Sequence, residues 1–340
     1  MNRSHRSRRV LVVGAGLFTA LTLAACGGNV TAGGGNEGET SAESFPDGPV
    51  TILVGQDAGG STDLIGRALA DHASDDLGVA VTVENKPGAN GALAAQELAG
   101  AEPDGQTLMI FNGSLAYITP LAVSEDEAVD VNDYEVVTGI SQDDYVLVTS
   151  PDSGFTTVED LAAAGRPVTF GTTGVGTGSQ LSQELLFKDA GIEASAVPFD
   201  GGSPTVTAVL GGQVDVGSVQ LGEAIEQIEA GDLVPIVTFA EERPEYLPDT
   251  PTAVEEGYDV PVQQSRAVVA PKGTPQEVVD RLAEAFGTAF ESEEYQTFNE
   301  ERLLTPNEVS GDELLEQWNA SLEDYKALVE EYGINLGGEQ

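Results

Sequence analysis

The chain sets a β-rich run, a glycine-bearing loop and a helix-forming stretch one after another, and then does so again, and few folds accept that order. Val50-Thr51-Ile52-Leu53-Val54 is followed by Ala58-Gly59-Gly60-Ser61. Residues 64–72 then read as a helix with Leu64, Ala68 and Leu69 on one face. Residues 79–83 read as the next strand, 91–98 as a helix and 107–111 as a strand. A second series opens at 145–148 and continues with a short helix over 158–164, a strand at 168–170, the loop 171–178 and a helix over 179–190. Periodic segments at 204–210, 214–219, 224–230 and 234–239 follow. A strand at 267–270 and helices near 275–290 and 312–331 complete the pattern. Strands alternating with helices predict an α/β protein with parallel sheets covered on both faces.

Residues 1–25 stand outside this pattern and read as an export signal. Arg3, Arg6, Arg8 and Arg9 precede an apolar run from Val10 to Ala25, the charged-then-apolar layout of a secretory leader. The run ends Leu23-Ala24-Ala25-Cys26-Gly27, which resembles a lipobox, so Cys26 is the expected lipidation site and mature N-terminus. Ser7-Arg8-Arg9-Val10-Leu11 also resembles a twin-arginine signal, which leaves the export route open. Residues 26–47 carry Gly, Ser, Thr and Glu without apolar period and read as a flexible tether.

Charge narrows the function classes. The chain has 57 Asp+Glu against 14 Lys+Arg, a formal net charge of -43. Nucleic acid is excluded as a partner, because phosphate binding needs clustered cations. One Cys cannot form a disulfide within the chain. The acids are spread along the whole mature chain, and such charge is expected on a halophile-like surface whose self-repulsion salt would screen.

Nucleophilic, metal and nucleotide chemistry are poorly supplied. Removal of the leader takes Arg3, Arg6, Arg8, Arg9 and His5, and His72 then stands alone late in a helix. No HExxH, CxxC or GxSxG motif occurs. Gly174-x-Gly176-x-Gly178 has the wrong spacing for a dinucleotide fingerprint. Neither an enzyme activity nor a metal or other cofactor is expected. The two glycine loops offer something else. A helix N-terminus exposes free N–H groups and the positive end of a dipole, glycine lets a ligand come close, and Ser or Thr adds hydroxyls. Gly59-Gly60-Ser61-Thr62-Asp63 and Thr172-Thr173-Gly174 through Ser179-Gln180 are two such places. Facing each other, they would grip a carboxylate without any Lys. Arg67 and Arg266 are the basic residues in the most suggestive contexts, each equally readable as a surface ion pair.

Eight segments then resemble, in family order, the periplasmic receptors of tripartite tricarboxylate transporters, the Bug proteins. They are Pro49–Asp63; Val83-Glu84-Asn85-Lys86-Pro87-Gly88-Ala89-Asn90-Gly91; Pro103-Asp104-Gly105-Gln106-Thr107-Leu108; Gly171–Ser179; Val197-Pro198-Phe199-Asp200-Gly201-Gly202; Leu210-Gly211-Gly212-Gln213-Val214-Asp215; Pro251–Gly257; and Ala270-Pro271-Lys272-Gly273-Thr274-Pro275. The resemblance spans roughly 45–325. It implies a two-lobed periplasmic-binding-protein-like α/β fold of the type II class, with a ligand cleft between lobes. Lobe 1 would comprise 48–147 plus 263–340 and lobe 2 would comprise 148–262, with crossings near 145–149 and 262–267. It implies ligand contacts from Ala58, Gly59, Gly60, Ser61 and Asp63 on one side and from Thr172, Thr173, Gly174, Thr177 and Ser179 on the other. Gly201, Gly202 and Asp215 fall in segments that the family places near the cleft, Asp215 either accepting a ligand donor or fixing a loop. Ser114 follows a strand and is expected to face the cleft. Two departures bear on the ligand. A His common after the second loop is Gln180 here, and an aromatic common before the Ala-Pro-x-Gly segment is replaced around Gln263-Gln264-Ser265-Arg266. Arg266 is therefore expected to pair with a second carboxylate of the ligand.

The function so implied is an exported, lipid-anchored receptor on the outer face of the cytoplasmic membrane. It would capture a small di- or tricarboxylate for separate transmembrane subunits. A ligand-presenting sensor subunit, an extracellular enzyme on acidic substrates and a surface scaffold are the rival readings.

Overall fold

In the computed structural model, which describes residues 45–337, the first strand–loop–helix unit forms where the apolar pattern puts it. β1 (Val50–Val54) is buried along most of its length, as β-branched residues suit a sheet interior. α1 runs Ser61–Leu77, longer at both ends than the expected 64–72. Gly78 ends it in the left-handed conformation (φ 70°), which glycine adopts without strain. The buried face of α1 is Ile65, Leu69, Ala73 and Leu77, so the stripe lies one residue round from Leu64 and Ala68, which are only partly buried.

The chain continues with β2 (Val81–Asn85), α2 (Ala92–Ala99), β3 (Thr107–Asn112), α3 (Ser114–Tyr117), β4 (Tyr134–Thr149), α4 (Val158–Ala162), β5 (Val168–Thr172) and α5 (Gly178–Asp189). After these come β6 (Ala194–Pro198), α6 (Gly202–Leu210), β7 (Val216–Gln220), α7 (Leu221–Ala230), β8 (Val234–Thr238) and β9 (Gln263–Pro271). Helices α8 (Gln276–Phe290), α9 (Glu293–Arg302) and α10 (Gly311–Tyr332) close the described chain.

The strands lie in the order β2-β1-β3-β9-β4-β7-β5-β6, with β8 also paired to β4. β1 pairs parallel with β2 and β3, and β5 pairs parallel with β6 and β7. Between these two blocks every pairing is antiparallel: β3–β9, β9–β4, β4–β7 and β4–β8. The expected parallel pairing thus forms within each block, and antiparallel pairing joins the blocks into a mixed sheet. β4 and β9 cross between the blocks directly, and antiparallel neighbours need no helical crossover. β4 serves both blocks: its 134–144 stretch pairs with β9, and its 145–149 stretch pairs with β7 and β8.

Three apolar clusters hold the layers. α1 and α8 cover one face of the first block through Ile65, Leu69, Leu282 and Phe286, packed on Ile52 and Val268. A longer cluster runs from Phe111 and Trp318 to Phe170 and Leu185, joining helices α2, α5 and α10 across both blocks. Phe111 and Trp318 stack there with ring centroids 5.6 Å apart. Val146, Val148, Val209 and Leu221 form the third, under α6 and α7. The expected export signal over 1–25, the lipidation site Cys26 and residues 26–44 of the tether lie outside the described residues. Among the described residues no helix is long and apolar enough to cross a membrane.

Candidate functional site

Each glycine loop is shaped by a polar side chain from the helix it enters. Gly59 sits at φ 87°, and its N–H donates to Asp63 Oδ2 at 2.8 Å, one turn into α1. Asp63 also accepts from Arg67 Nε at 3.0 Å and Asn85 Nδ2 at 2.9 Å. Burial pushes the Asp63 carboxyl up, but these hydrogen bonds outweigh it and leave it below the usual carboxylate range. Gly60 at the α1 N-cap has no side chain to bond the first-turn N–H groups, and the Ser61 N–H bonds the Glu223 carboxylate instead. In the second loop Ser179 Oγ donates to Ser218 O at 2.5 Å and accepts from Thr173 N–H at 3.1 Å. Thr177 caps α5 and donates to Gly174 O at 2.8 Å. Gly174 (φ 142°) requires glycine.

The two loops meet a third at one cavity. Gly201 N–H donates to Thr173 O at 3.2 Å, which carries the N-terminus of α6 to the same place. The cavity measures about 120 Å³, well above the roughly 10–15 Å³ that a cavity needs to hold a single water. Ala58, Gly60 and Ser61 line one wall, Thr173 and Thr177 a second, and Gly201, Gly202 and Ser203 a third. Arg266 also lines the cavity.

Arg266 is 1% exposed and fully engaged. It forms a buried ion pair with Asp143 of β4 and donates through Nη2 to Gln220 Oε1 at 2.5 Å and Ser61 Oγ at 3.2 Å. Its Nε donates to Thr62 Oγ1 at 3.2 Å and its Nη1 to Ser141 Oγ at 3.3 Å. Burial pushes the Asp143 carboxyl up, while Arg266, Ser141 and the Thr305 N–H pull it back. Such a pair costs desolvation and is held by its hydrogen bonds. The guanidinium thus faces the cavity with its charge already matched, at a point where β9, β4, β7 and α1 converge.

Seven residues expected at the cleft are not among those that line this cavity. Gly59 lines an adjoining hollow next to α9. Asp63 and Ser179 shape the loops, as above. Ser114 Oγ accepts from Asn90 Nδ2 at 3.2 Å. Thr172 is buried and its Oγ1 donates to Gly174 O at 3.2 Å, and Gly174 gives the loop its turn. Asp215 is the furthest from expectation. Its carboxylate takes Arg166 with both oxygens, at 2.6 and 2.7 Å, and also Thr169 N–H at 2.8 Å. It therefore fixes the start of β7. Arg67 likewise turns to Asp63 and Asn85.

Residues that motif reasoning did not single out also line the cavity: Gln56, Asn90, Asn112, Tyr145, Gln220, Glu223 and Gln264. Asn90 stands in the Pro87–Gly91 segment and Gln264 in the altered stretch before Arg266, so both carried a signal. Glu223 is one of 57 acids and carried none. Tyr145 and Gln264 lock together, Tyr145 Oη donating to Gln264 Oε1 at 2.8 Å. Asn90 and Thr119 both donate to Gly176 O, at 3.4 and 3.0 Å, tying the first block to the second loop. Among the described residues no group of three or more His, Cys, Asp or Glu is placed to hold a metal ion.

The family model of the tripartite tricarboxylate transporter family receptor matches residues 65–334. The chain belongs to that receptor family. The receptor is 30% identical to Protein BugT of Bordetella pertussis over 258 residues, 74% of this chain and 79% of that one. Its fold matches R. palustris Rpa4515 with adipate at TM-score 0.81 and 26% identity, over 86% of the receptor and 99% of that chain. It matches MatC from Rhodopseudomonas palustris with bound malate at TM-score 0.78 and 26% identity, over 84% of the receptor and 100% of that chain. The fold is thus the periplasmic-binding-protein-like α/β architecture of the Bug receptors, as the eight ordered segments implied.

Proposed function

We propose that this receptor works outside the cytoplasm, capturing a small carboxylate of the di- and tricarboxylate class and presenting it to separate transmembrane transporter subunits. Its polar contacts come mainly from backbone N–H groups and hydroxyls at the entries to α1, α5 and α6. The observation that carries this reading is the convergence of those three glycine-bearing entries with Arg266 on one cavity. Relatives solved with adipate and malate support it. Residues 48–147 plus 263–340 form one lobe in this reading and 148–262 the other. They close on the ligand by bending β4 and the 262–267 crossing. Nothing is turned over. Residues 1–25 direct export, Cys26 carries the lipid that holds the receptor at the outer face of the membrane, and the acidic surface is an adaptation to high salt.

A thermal-shift screen of mono-, di- and tricarboxylates in concentrated KCl tests the reading. A ligand present at 100 times its Kd should stabilise the fold by about 2.7 kcal/mol. At least one carboxylate is expected to raise the melting temperature in a saturable way and to be recovered chemically unchanged. A flat screen, or conversion of the acid by the purified protein, overturns it.

A further inference from the structure

The cavity contains a carboxylate of its own. Glu223 stands in the first turn of α7 and lines the cavity beside Arg266. Its carboxylate lies against Gly202, where even a Cβ would collide with it. Backbone hydrogen bonds from Gln220 and from Ser61, the first residue of α1, point at the same carboxylate. A side chain of the second block thus occupies part of the anion-attracting helix end of the first. The lining holds three carboxylates, Asp57, Asp200 and Glu223, against one guanidinium. That guanidinium is already paired with Asp143. Asp57 and Asp200 are exposed and face solvent, whereas Glu223 is half-buried. A second acceptor belongs to a residue lining the same cavity: Gln56 Oε1 is buried without a hydrogen-bond partner, while Gln56 Nε2 is directed to Asn90 O at 3.3 Å.

A guest that is only anionic would bring further negative charge against Glu223 and leave Gln56 Oε1 unmatched. Both features call for a hydrogen-bond donor, and Glu223 calls for a positive one. We propose that the receptor selects a small carboxylate that also carries an ammonium group, an amino acid rather than a plain diacid, with Glu223 as the residue that sets this preference. The ligand carboxylate meets the N–H groups of Gly202 and Ser203 and the hydroxyls of Thr173 and Thr177, and the ammonium lies between Glu223 and Gln56. Burial pushes the Glu223 carboxyl above the usual carboxylate range although Arg266 and the two backbone donors pull against it, and an arriving cation would favour its ionised form. The inference rests on the receptor reading above and narrows its ligand class.

The test compares matched pairs that differ by one amino group, aspartate against succinate and glutamate against glutarate, by calorimetry in concentrated KCl. Wild type is expected to bind the amino member of at least one pair ten-fold or more tightly. Glu223→Gln keeps the shape and one acceptor oxygen for the backbone donors, and should lower that preference at least ten-fold. Gly202→Ala, whose methyl displaces the Glu223 carboxylate, should move it in the same direction, which guards against a folding defect in either variant. Tighter binding of plain diacids by wild type, especially with proton uptake, overturns the inference and leaves the receptor reading standing. So does an unchanged preference in folded Glu223→Gln. Binding of neither member of any pair, nor of any acid in the screen above, overturns both.

Discussion

Single side chains divide into those that meet the cavity and those that hold its walls, and charge state separates them. Asp215 belongs to the second group. Hydrogen bonds from Arg166 pull its carboxyl down to about 2 against the opposing effect of burial, and Thr169 adds to the pull. An unfolded Asp titrates near 3.9, so the ionised form binds its partners in the folded state and stabilises it above that value. The contribution is lost as pH falls from about 4 toward 2. Arg166 is 52% exposed, so solvent screening leaves roughly 1 kcal/mol of it. Urea unfolding of wild type and Asp215→Asn should therefore show a stability gap that is steady from about pH 5 to 7 and closes below about 4. A gap of the same size at pH 2 would mean that Asp215 acts through packing alone. Ligand affinity near neutrality is expected to be unaffected, since Asp215 lies away from the cavity lining. Arg266 shows the limit of reading residues singly. Its position in a suggestive stretch was legible, but its partner Asp143 lies 123 residues away, and only contact reveals that the charge is already matched.

At the scale of elements, the strand–loop–helix units were legible because their signals are local: β-branched runs, glycines, and helix entries with Ser or Thr. β4 shows what was not. Residues 145–148 read as strand, but the strand begins at Tyr134. Its first part carries Gly139 and the polar run Ser141-Gln142-Asp143-Asp144, and the register shifts twice along it. Ser141 and Asp143 are buried against Arg266, and Gln142 and Asp144 hydrogen-bond Gln263, so a polar network replaces the apolar alternation on which strand reading depends. α9 was equally hidden, because only Tyr295 and Asn299 of its ten residues are buried and no apolar stripe forms. The second loop yields an element-level prediction. Ser179 Oγ joins Thr173 N–H to Ser218 O, so Ser179→Ala frees a loop N–H beside the cavity. Loss of one such hydrogen bond costs about 1–3 kcal/mol. Chemical denaturation should register a destabilisation of that order, and calorimetry a loss of ligand affinity as Thr173 shifts. Unaltered affinity at reduced stability would place Thr173 outside the binding wall.

For the whole molecule, net charge is the dominant long-range term. At -43 the surface repels itself, and the Debye length shortens from about 30 Å at 0.01 M to about 3 Å at 1 M salt. The urea midpoint is expected to rise steeply with KCl and to be lowest in dilute buffer. A midpoint independent of salt would show that the acids are already compensated in the fold. The same repulsion is a reason for backbone dipoles to suit the proposed site: they supply positive potential without cations that neighbouring acids would neutralise.

Most of the strand–loop–helix units, the two glycine-bearing turns and the family were written in short contiguous segments, where backbone preference and side-chain type act over a few residues. Which turns meet, that α6 adds a third, that Asp143 neutralises Arg266 and that Glu223 reaches the first turn of α1 depended on the path of the chain. β4 and β9 pass between the two blocks and bring together residues more than a hundred positions apart. Such contacts leave no local periodicity, because their energy comes from desolvated pairs formed only after the sheet has closed around them.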